Sequence, residues 1–265
     1  DKYNIVSAER KNHVVAVTGD GVNDMPAIKG ADVGIAVSNA VDALKEVADI
    51  VLFDQGLTII RDALIEARKI FVRLYNYSVY RISESFRIIL LMAIFGLFFG
   101  QYALTPVELI LLALLNDVPI ISMAFDRVKV PEKPSKINRR ERFMLSTFFG
   151  LAGLANSLLA FWIARSIWHL DWAHIQSLFF LKLVVSGHML IYVAHTNERW
   201  YRFLPSKQVI IATILTQIIA TIMVLIGVLV ERLPLSIVAF VWIWTFGWMQ
   251  VSELMKILQQ KIIKR

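Results

Sequence analysis

The stretch Val14-Val-Ala-Val-Thr-Gly-Asp-Gly-Val-Asn-Asp24 determines how the first part of the chain folds. Residues 14–18 form a short β-branched run, which is typical of a strand, and the glycines and aspartates after it are typical of a tight turn. Two further strands are indicated at 32–37 and 49–53, with helices at 25–30 and 41–47. Because strands and helices alternate over short distances, residues 1–55 are predicted to be part of an α/β domain with a parallel sheet of the doubly wound type.

Asp20 and Asp24 are candidate metal ligands in this turn. Ligands of open α/β sheets bind at the carboxyl ends of strands, and two carboxylates four residues apart suit Mg²⁺ beside a phosphate. Gly19 and Gly21 permit the tight turns. An Asp-Gly pair by itself is more typical of an ordinary turn. The whole string, on a strand end and ahead of membrane helices, favours a phosphate site.

The remainder of the chain is predicted to be a membrane-embedded all-α bundle. The chain is 57% hydrophobic and only 18% charged, which is rare for a soluble protein of this size. Residues 57–95 contain no Gly or Pro and have helical periodicity, which predicts a stalk helix at 56–80 that continues into the membrane. Within residues 80–256, six apolar segments match the roughly 20 residues that a helix needs to cross hydrocarbon. These predicted spans are 80–100, 103–125, 144–165, 175–195, 208–230 and 233–254.

Basic residues are concentrated on one side of the predicted spans. Seven Lys or Arg residues lie between 126 and 142, three between 198 and 207, and four after Met255, whereas the alternate loops hold only Arg232. The positive-inside rule therefore places both termini, including the tail 257–265, in the cytoplasm. The same distribution accounts for the net charge of +7, so the expected partner is a lipid bilayer and no nucleic acid. The absence of cysteine excludes disulfides and thiolate chemistry.

Ionisable residues at membrane depth are candidate transport residues, because a charge in hydrocarbon is costly. Arg87 and Asp117 are estimated to lie roughly 20 and 17 Å from the outer ends of adjacent antiparallel helices. We expect them to pair, either for transport or only to fix helix packing. Pro119 is expected to kink or unwind its helix and to free carbonyls near Asn116 and Asp117. Glu84 lies nearer the cytoplasm and is a further candidate.

Two sets of motifs resemble the P-type ATPases, whose phosphorylation domain has the haloacid-dehalogenase-like fold. Thr18-Gly-Asp-Gly-Val-Asn-Asp24, Pro26-Ala-Ile-Lys29 and Ala31-Asp-Val-Gly-Ile-Ala36 are similar to the hinge signature of the family. Asn76-Tyr-Ser-Val-Tyr80, Phe86-Arg-Ile88, Leu115-Asn-Asp117 and Asp126-Arg-Val-Lys129 resemble the fifth and sixth helices of plasma-membrane proton pumps. The resemblance covers nearly the whole chain and corresponds to the C-terminal portion of such a pump.

The resemblance implies an ATP-driven cation pump with a phosphoaspartate intermediate, most specifically a proton exporter of the plasma membrane. It implies that Asp117 carries the proton and that Arg87 is its positive counterpart. Mg²⁺ and ATP are the implied cofactors. The resemblance also implies roles for the residues of the phosphoryl site. Asp20 and Asp24 would bind Mg²⁺, Asn23 would join the phosphate network, and Lys2 would neutralise charge. The cofactor-binding residues would be Thr18, Gly19 and Gly21.

Some parts of the family pattern are not in this sequence. It contains no Asp-Lys-Thr-Gly-Thr motif, which carries the phosphorylated aspartate in the family, and no nucleotide-binding domain. The chain alone is therefore expected to be inactive, with the remaining domains of the same pump as its partners.

Two alternatives stay open. A metal-cation pump of the Ca²⁺ or Mg²⁺ type could add Glu84 and Glu108 to Asp117, although a calcium site needs six to eight oxygens. A membrane scaffold without transport would use the hinge structurally. Lys182 and His188 are expected to face the bundle interior.

Overall fold

The computed structural model describes residues 2–54, 58–130 and 139–263 of the chain. The strands and helices of these ranges are α1 (Lys2–Glu9), β1 (Ala16–Gly19), α2 (Met25–Gly30), β2 (Val33–Ala36), α3 (Asp42–Lys45), β3 (Ile50–Val51), α4 (Thr58–Phe99), α5 (Pro106–Ser122), α6 (Arg139–Ser166), α7 (Trp172–Ala194), α8 (Lys207–Ile226) and α9 (Leu235–Ile263). Two compact units are formed, Asp1–Ala67 and Arg68–Arg265, and the division between them falls within α4.

The first unit is built on a parallel three-stranded sheet in the order β1-β2-β3. The helix expected at 25–30 forms at Met25–Gly30, whereas all three strands are shorter than expected. Val14, for example, is 87% exposed and lies outside β1, because pairing with β2 begins only at Ala16. Helix α1 was not expected from the sequence. The small core of this unit consists of Ile28, Ala36, Ala40 and Leu44.

Six helices in the described ranges are long and apolar enough to cross a membrane. They comprise Thr58–Phe99, Pro106–Phe125, Arg139–Ser166, Trp172–Ala194, Lys207–Ile226 and Leu235–Gln260. The predicted fold class, a partial α/β domain followed by a bundle of six membrane helices, is therefore confirmed. Helix α4 runs for 42 residues without interruption. Part of the predicted tail, up to Ile263, continues helix α9, and residues 264 and 265 lie outside the described ranges.

Helix α7 is the centre of the membrane bundle. Of its most apolar stretch 83% is buried, against at most 44% for the other five spans. It packs against α5, α6, α8 and α9, and its Phe179 ring makes an edge contact with Phe95 of α4 at 5.2 Å between centroids. The outward faces of the other helices expose large apolar side chains, such as Ile211 and Ile243, as expected for contact with lipid.

A buried ion pair connects the end of α5 to the loop between α7 and α8. The two oxygens of Asp126 divide their partners: Oδ1 accepts from the backbone N–H groups of Arg127 and Ser206, both at 2.8 Å, and Oδ2 contacts His195 Nδ1 at 2.9 Å. The other ring nitrogen, Nε2, lies 2.6 Å from the Phe203 carbonyl oxygen. Each ring nitrogen of His195 thus has an oxygen partner, one on a side chain and one on the backbone, and these two contacts fix the orientation of the buried ring.

Lys256 joins α9 to the end of α7. Its ammonium donates to the carbonyl oxygens of Val193, Thr196 and Glu198 at 3.0, 3.1 and 2.7 Å, and it lies 2.9 Å from the Glu253 carboxylate. A cation at this place satisfies carbonyls that the end of α7 leaves without helical donors. Lys256 is therefore a buried structural residue, although the sequence suggested only a basic tail.

Candidate functional site

The loop after β1 brings three of the predicted phosphate-site residues together at the carboxyl end of the sheet. Lys2 Nζ donates to Asp24 Oδ1 at 2.6 Å, and the Asp20 N–H donates to Asp24 Oδ2 at 3.2 Å. A single 3-10 turn, Val22–Asp24, returns the buried Asp24 side chain towards the strand end. Helix α1 supplies Lys2, so the unexpected helix is what carries the lysine to the site.

The Lys2–Asp24 contact changes the proton affinity of both groups. The hydrogen bond to Asp24, together with its negative charge, raises the pKa of Lys2 above its ordinary value. The hydrogen bond from Lys2 is also the main reason that the pKa of Asp24 is lowered, although burial acts in the opposite direction. At neutral pH the pair is therefore an ammonium and a carboxylate.

Gly19 is required by close packing at this site. A Cβ at position 19 would lie 2.6 Å from the Cβ and 2.9 Å from Oδ2 of Asp24, and real Cβ atoms do not approach so closely. A Cβ at Gly21 would meet no atom within 4 Å, so packing does not explain that glycine. Thr18 and Asn23 are exposed at the same edge of the sheet. The loop thus presents polar groups to solvent around the Lys2–Asp24 pair.

The residues of the loop fit a Mg²⁺ ion that takes most of its ligands from elsewhere. Asp20 is exposed, and its carboxylate accepts no hydrogen bond from the described residues. Both oxygens of Asp24 already accept, so direct metal ligation by Asp24 would compete with Lys2. The described ranges contain no cluster of three or more His, Asp or Glu side chains that could hold a metal ion. Phosphate and water oxygens would have to complete the shell around Asp20.

In the membrane bundle, Arg87 has partners other than the one predicted. Its Nη2 donates to Glu84 Oε2 at 2.5 Å and to the Leu183 carbonyl at 3.1 Å, and its Nη1 donates to Ser186 Oγ at 2.6 Å. The side chains of Glu84 and Arg87 are only 3% and 4% exposed. The structure describes Asp117 as well, and no ion pair joins it to Arg87. The predicted pairing is therefore wrong for this conformation.

The expected unwinding of α5 is also absent. Residues Pro106–Ser122 form one α-helix that includes Pro119. Asn116 is buried, and its Oδ1 has no hydrogen-bond partner among the described residues. Asp117 is exposed on a neighbouring face of the same helix. The two adjacent polar residues therefore have different surroundings, with one facing the bundle and the other facing away from it.

Both Lys182 and His188 of α7 lie in the bundle interior, fully buried. Lys182 donates to Ser157 Oγ and, at 3.4 Å, to the Gly153 carbonyl of α6, and His188 Nδ1 is 3.4 Å from Thr216 Oγ1 of α8. Sequence reasoning missed the role of Ser186 as a partner of Arg87. The sequence did contain a signal for it. Residues 182 and 186 are four apart and lie on one face of α7, so Ser186 faces the bundle interior if Lys182 does.

Comparison with known proteins agrees with this architecture. Residues 7–55 match the family model of haloacid dehalogenase-like hydrolases. The chain is 42% identical over 265 residues to a candidate cation-transporting ATPase of Methanocaldococcus jannaschii, covering 99% of the chain and 33% of the relative. It is 32% identical over 251 residues to a plasma membrane ATPase of Kluyveromyces lactis and 33% identical over 258 residues to plasma membrane ATPase 1 of Candida albicans, covering 93% of the chain and 28% of each relative. The chain thus spans about a third of the length of these relatives.

Proposed function

Because the chain is homologous to P-type ATPases over nearly its whole length, we propose that it belongs to an ATP-driven cation pump and that the transported cation is a proton. In this proposal the chain contributes part of the phosphoryl-transfer site and six membrane helices. The phosphorylated aspartate and the ATP site belong to the remaining domains of the same pump. The pump resides in the plasma membrane, with both ends of this chain in the cytoplasm.

The observation that carries the proposal is the cluster of Lys2, Asp20 and Asp24 at the carboxyl end of a parallel sheet, in a chain that also has six apolar helices. A phosphoryl group in transfer carries negative charge on its oxygens, so catalysis depends on positioned cations. The Lys2 ammonium is held in place by Asp24, and the exposed Asp20 carboxylate is suited to Mg²⁺, which would neutralise charge on the phosphoryl oxygens when bound.

The polar residues of the bundle support a proton more than a metal ion. Glu84 is paired with Arg87, and Glu108 accepts hydrogen bonds from Thr105 and Ser177 as part of the cap of α5. Asp117 is exposed on α5, and its oxygens accept no hydrogen bond from the described residues. One carboxylate is enough to carry a proton, whereas a calcium ion needs six to eight oxygen ligands.

The proposed location follows from the relatives and from the loops. The proteins of Kluyveromyces lactis and Candida albicans are named as plasma membrane ATPases. The excess of basic residues at the even-numbered loops of the six spans supports a cytoplasmic position for these loops and for both chain ends.

The test is ATP-driven acidification of sealed vesicles that contain the complete protein. With Mg²⁺ present and other metal ions removed, we expect the wild type to acidify the vesicle interior and Asp117→Asn to lose this activity. The control is Asp62→Asn, which neutralises an exposed carboxylate near the start of α4, outside the predicted spans, and should acidify normally. ATP hydrolysis that appears only after Ca²⁺ or another cation is added, without acidification, would contradict the proton and favour the metal-cation pump.

A further inference from the structure

A small polar cavity lies inside the membrane bundle, next to the Glu84–Arg87 pair. Helices α4, α6, α7 and α9 line it, and Asn156, Ser186 and Thr245 are among its polar residues. The space open to the centres of water molecules is about 30 Å³. One water molecule needs roughly 10–15 Å³ by the same measure, so the cavity has room for about two.

Glu84 contributes an unpaired carboxylate oxygen to this region. Its Oε2 accepts from Arg87, but its Oε1 is buried and has no hydrogen-bond partner among the described residues. A buried carboxylate oxygen without a partner is costly in an apolar bundle. Glu84 Oε1 is therefore stabilised by binding a proton, or a water molecule that can deliver one, on the side of the carboxylate away from Arg87.

Two glycines shape the space around the ion pair. A Cβ at Gly153 of α6 would lie 2.6 Å from Arg87 Cδ, and a Cβ at Gly187 of α7 would lie 3.3 Å from Glu84 Oε2 and 3.4 Å from Arg87 Nη2. The two neighbouring helices thus approach the pair as closely as backbone allows. On the sides of these two glycines Arg87 has no space to move into, and the open space next to it is the polar cavity.

The ionisable groups around Glu84 are few and mostly positive. Arg87 and the exposed Arg81 share its helix, and Lys182 approaches from α7. The cavity-lining residues of α6 and α9, such as Asn156 and Thr245, are uncharged. Glu84 is thus the one carboxylate of this cluster in the described ranges, and Arg87 is the basic group in direct contact with it. A proton on Glu84 would leave Arg87 without an anionic partner there.

We propose that Glu84 is a second proton-binding carboxylate of the membrane domain, and that proton binding there releases Arg87 from its place between α4 and α7. This inference rests on the proposed proton transport and adds a step that regulates the position of Arg87. A hydronium ion in the cavity gives its proton to Oε1, a new O–H bond forms on Glu84, and a water molecule remains. The Arg87–Glu84 ion pair then becomes a weaker contact between a cation and a neutral acid, so Arg87 becomes free to move.

The direct test is infrared difference spectroscopy of the complete protein in lipid, recorded as the pH is lowered. A protonated carboxyl group has its own carbonyl band. We expect one band that is lost in Glu84→Gln and kept in Glu108→Gln, a buried carboxylate whose two oxygens both accept hydrogen bonds. If no band depends on residue 84 at any pH at which the protein stays folded, Glu84 is a permanently ionised partner of Arg87, and the inference is overturned.

A second variant covers the case in which Glu84→Gln does not fold. Ser186→Ala removes one partner of Arg87 but leaves every charge in place. We expect one carboxyl band to appear at a pH that differs from the wild type by up to about one unit, the tenfold change that one charge-assisted hydrogen bond can supply. Ser177→Ala, on the same helix but bonded to Glu108, should leave it unchanged. Equal spectra for Ser186→Ala and wild type would contradict the coupling to Arg87.

The result is separable from the transport assay. Both proposals are supported if the wild type acidifies vesicles and its carboxyl band is lost in Glu84→Gln. A wild type that does not acidify vesicles but shows the band refutes proton transport, while the proton site at Glu84 stands. Acidification without the band refutes only the site at Glu84.

Discussion

Replacing Asp126 by alanine is the sharpest test of how the bundle is held together at its loop side. The change removes the side-chain partner of the buried His195 ring and leaves the N–H groups of Arg127 and Ser206 without their acceptor. Removing one partner of a buried ion pair costs about 3–5 kcal/mol. The two backbone N–H groups that lose their acceptor are only part-buried, so water can replace some of what they lose and the larger share of this cost falls on the buried His195.

A graded series makes the magnitude measurable. Asp126→Asn retains a carbonyl oxygen for the two backbone donors and loses only the charged contact with His195, so we expect a loss of about 1–3 kcal/mol. Glu198→Ala breaks an exposed ion pair with Lys129, whose side chains are 45% and 59% exposed, and should cost less than about 1 kcal/mol. The free energy of unfolding can be measured by titrating the purified protein in mild detergent with SDS and following tryptophan fluorescence.

The reasoning fails if Asp126→Ala is no more destabilising than Glu198→Ala.

Two further changes test the glycine contacts in the bundle and the phosphate loop. Gly153→Ala places a Cβ against Arg87 and should lower the free energy of unfolding by about 1–3 kcal/mol in the same titration, whereas Gly96→Ala, which meets no atom within 4 Å, should be neutral or stabilising by up to about 1 kcal/mol. Lys2→Met should let the pKa of Asp24 rise towards its ordinary value, because Lys2 is what lowers it. A carboxylate with a lowered pKa keeps its charge, and the stability that the charge gives, to a lower pH. When the pKa of Asp24 rises in Lys2→Met, that charge is lost at a higher pH, so the acid limb of the pH profile of Mg²⁺-dependent phosphoenzyme formation should move to higher pH. An unchanged acid limb, or equal stabilities for the two glycine variants, would contradict these expectations.

The fold could be predicted from sequence largely because its strongest signals are local. Apolar runs of about 20 residues report membrane helices directly, and the Gly- and Asp-rich turn marks a strand end. Strand lengths were less predictable, since Val14 has a strand-like side chain but no neighbouring strand to pair with. Helix α1 buries only Val6, so its sequence has no apolar stripe to reveal it.

The membrane site was predicted only in part, because depth along a helix does not fix the direction of a side chain. Arg87 and Asp117 were placed at similar depths, yet Arg87 faces α7 and Asp117 lies on an exposed face. Residues three apart on a helix share a face, which made Glu84 an available partner for Arg87 within α4. The α6 and α7 residues that surround this pair come from distant parts of the chain, and sequence spacing contains no information on their approach.

The central position of α7 has a consequence for how the protein is made. Insertion of a helix with a lysine near its middle is unfavourable by about 2.5–3.5 kcal/mol for that residue on the scale of the cell's insertion machinery. Lys182 finds its acceptors on Ser157 and Gly153 of α6, the helix synthesised immediately before α7. The two helices are therefore expected to enter the bilayer as a hairpin, so a change that weakens α6 should reduce the yield of inserted protein before it affects the folded state.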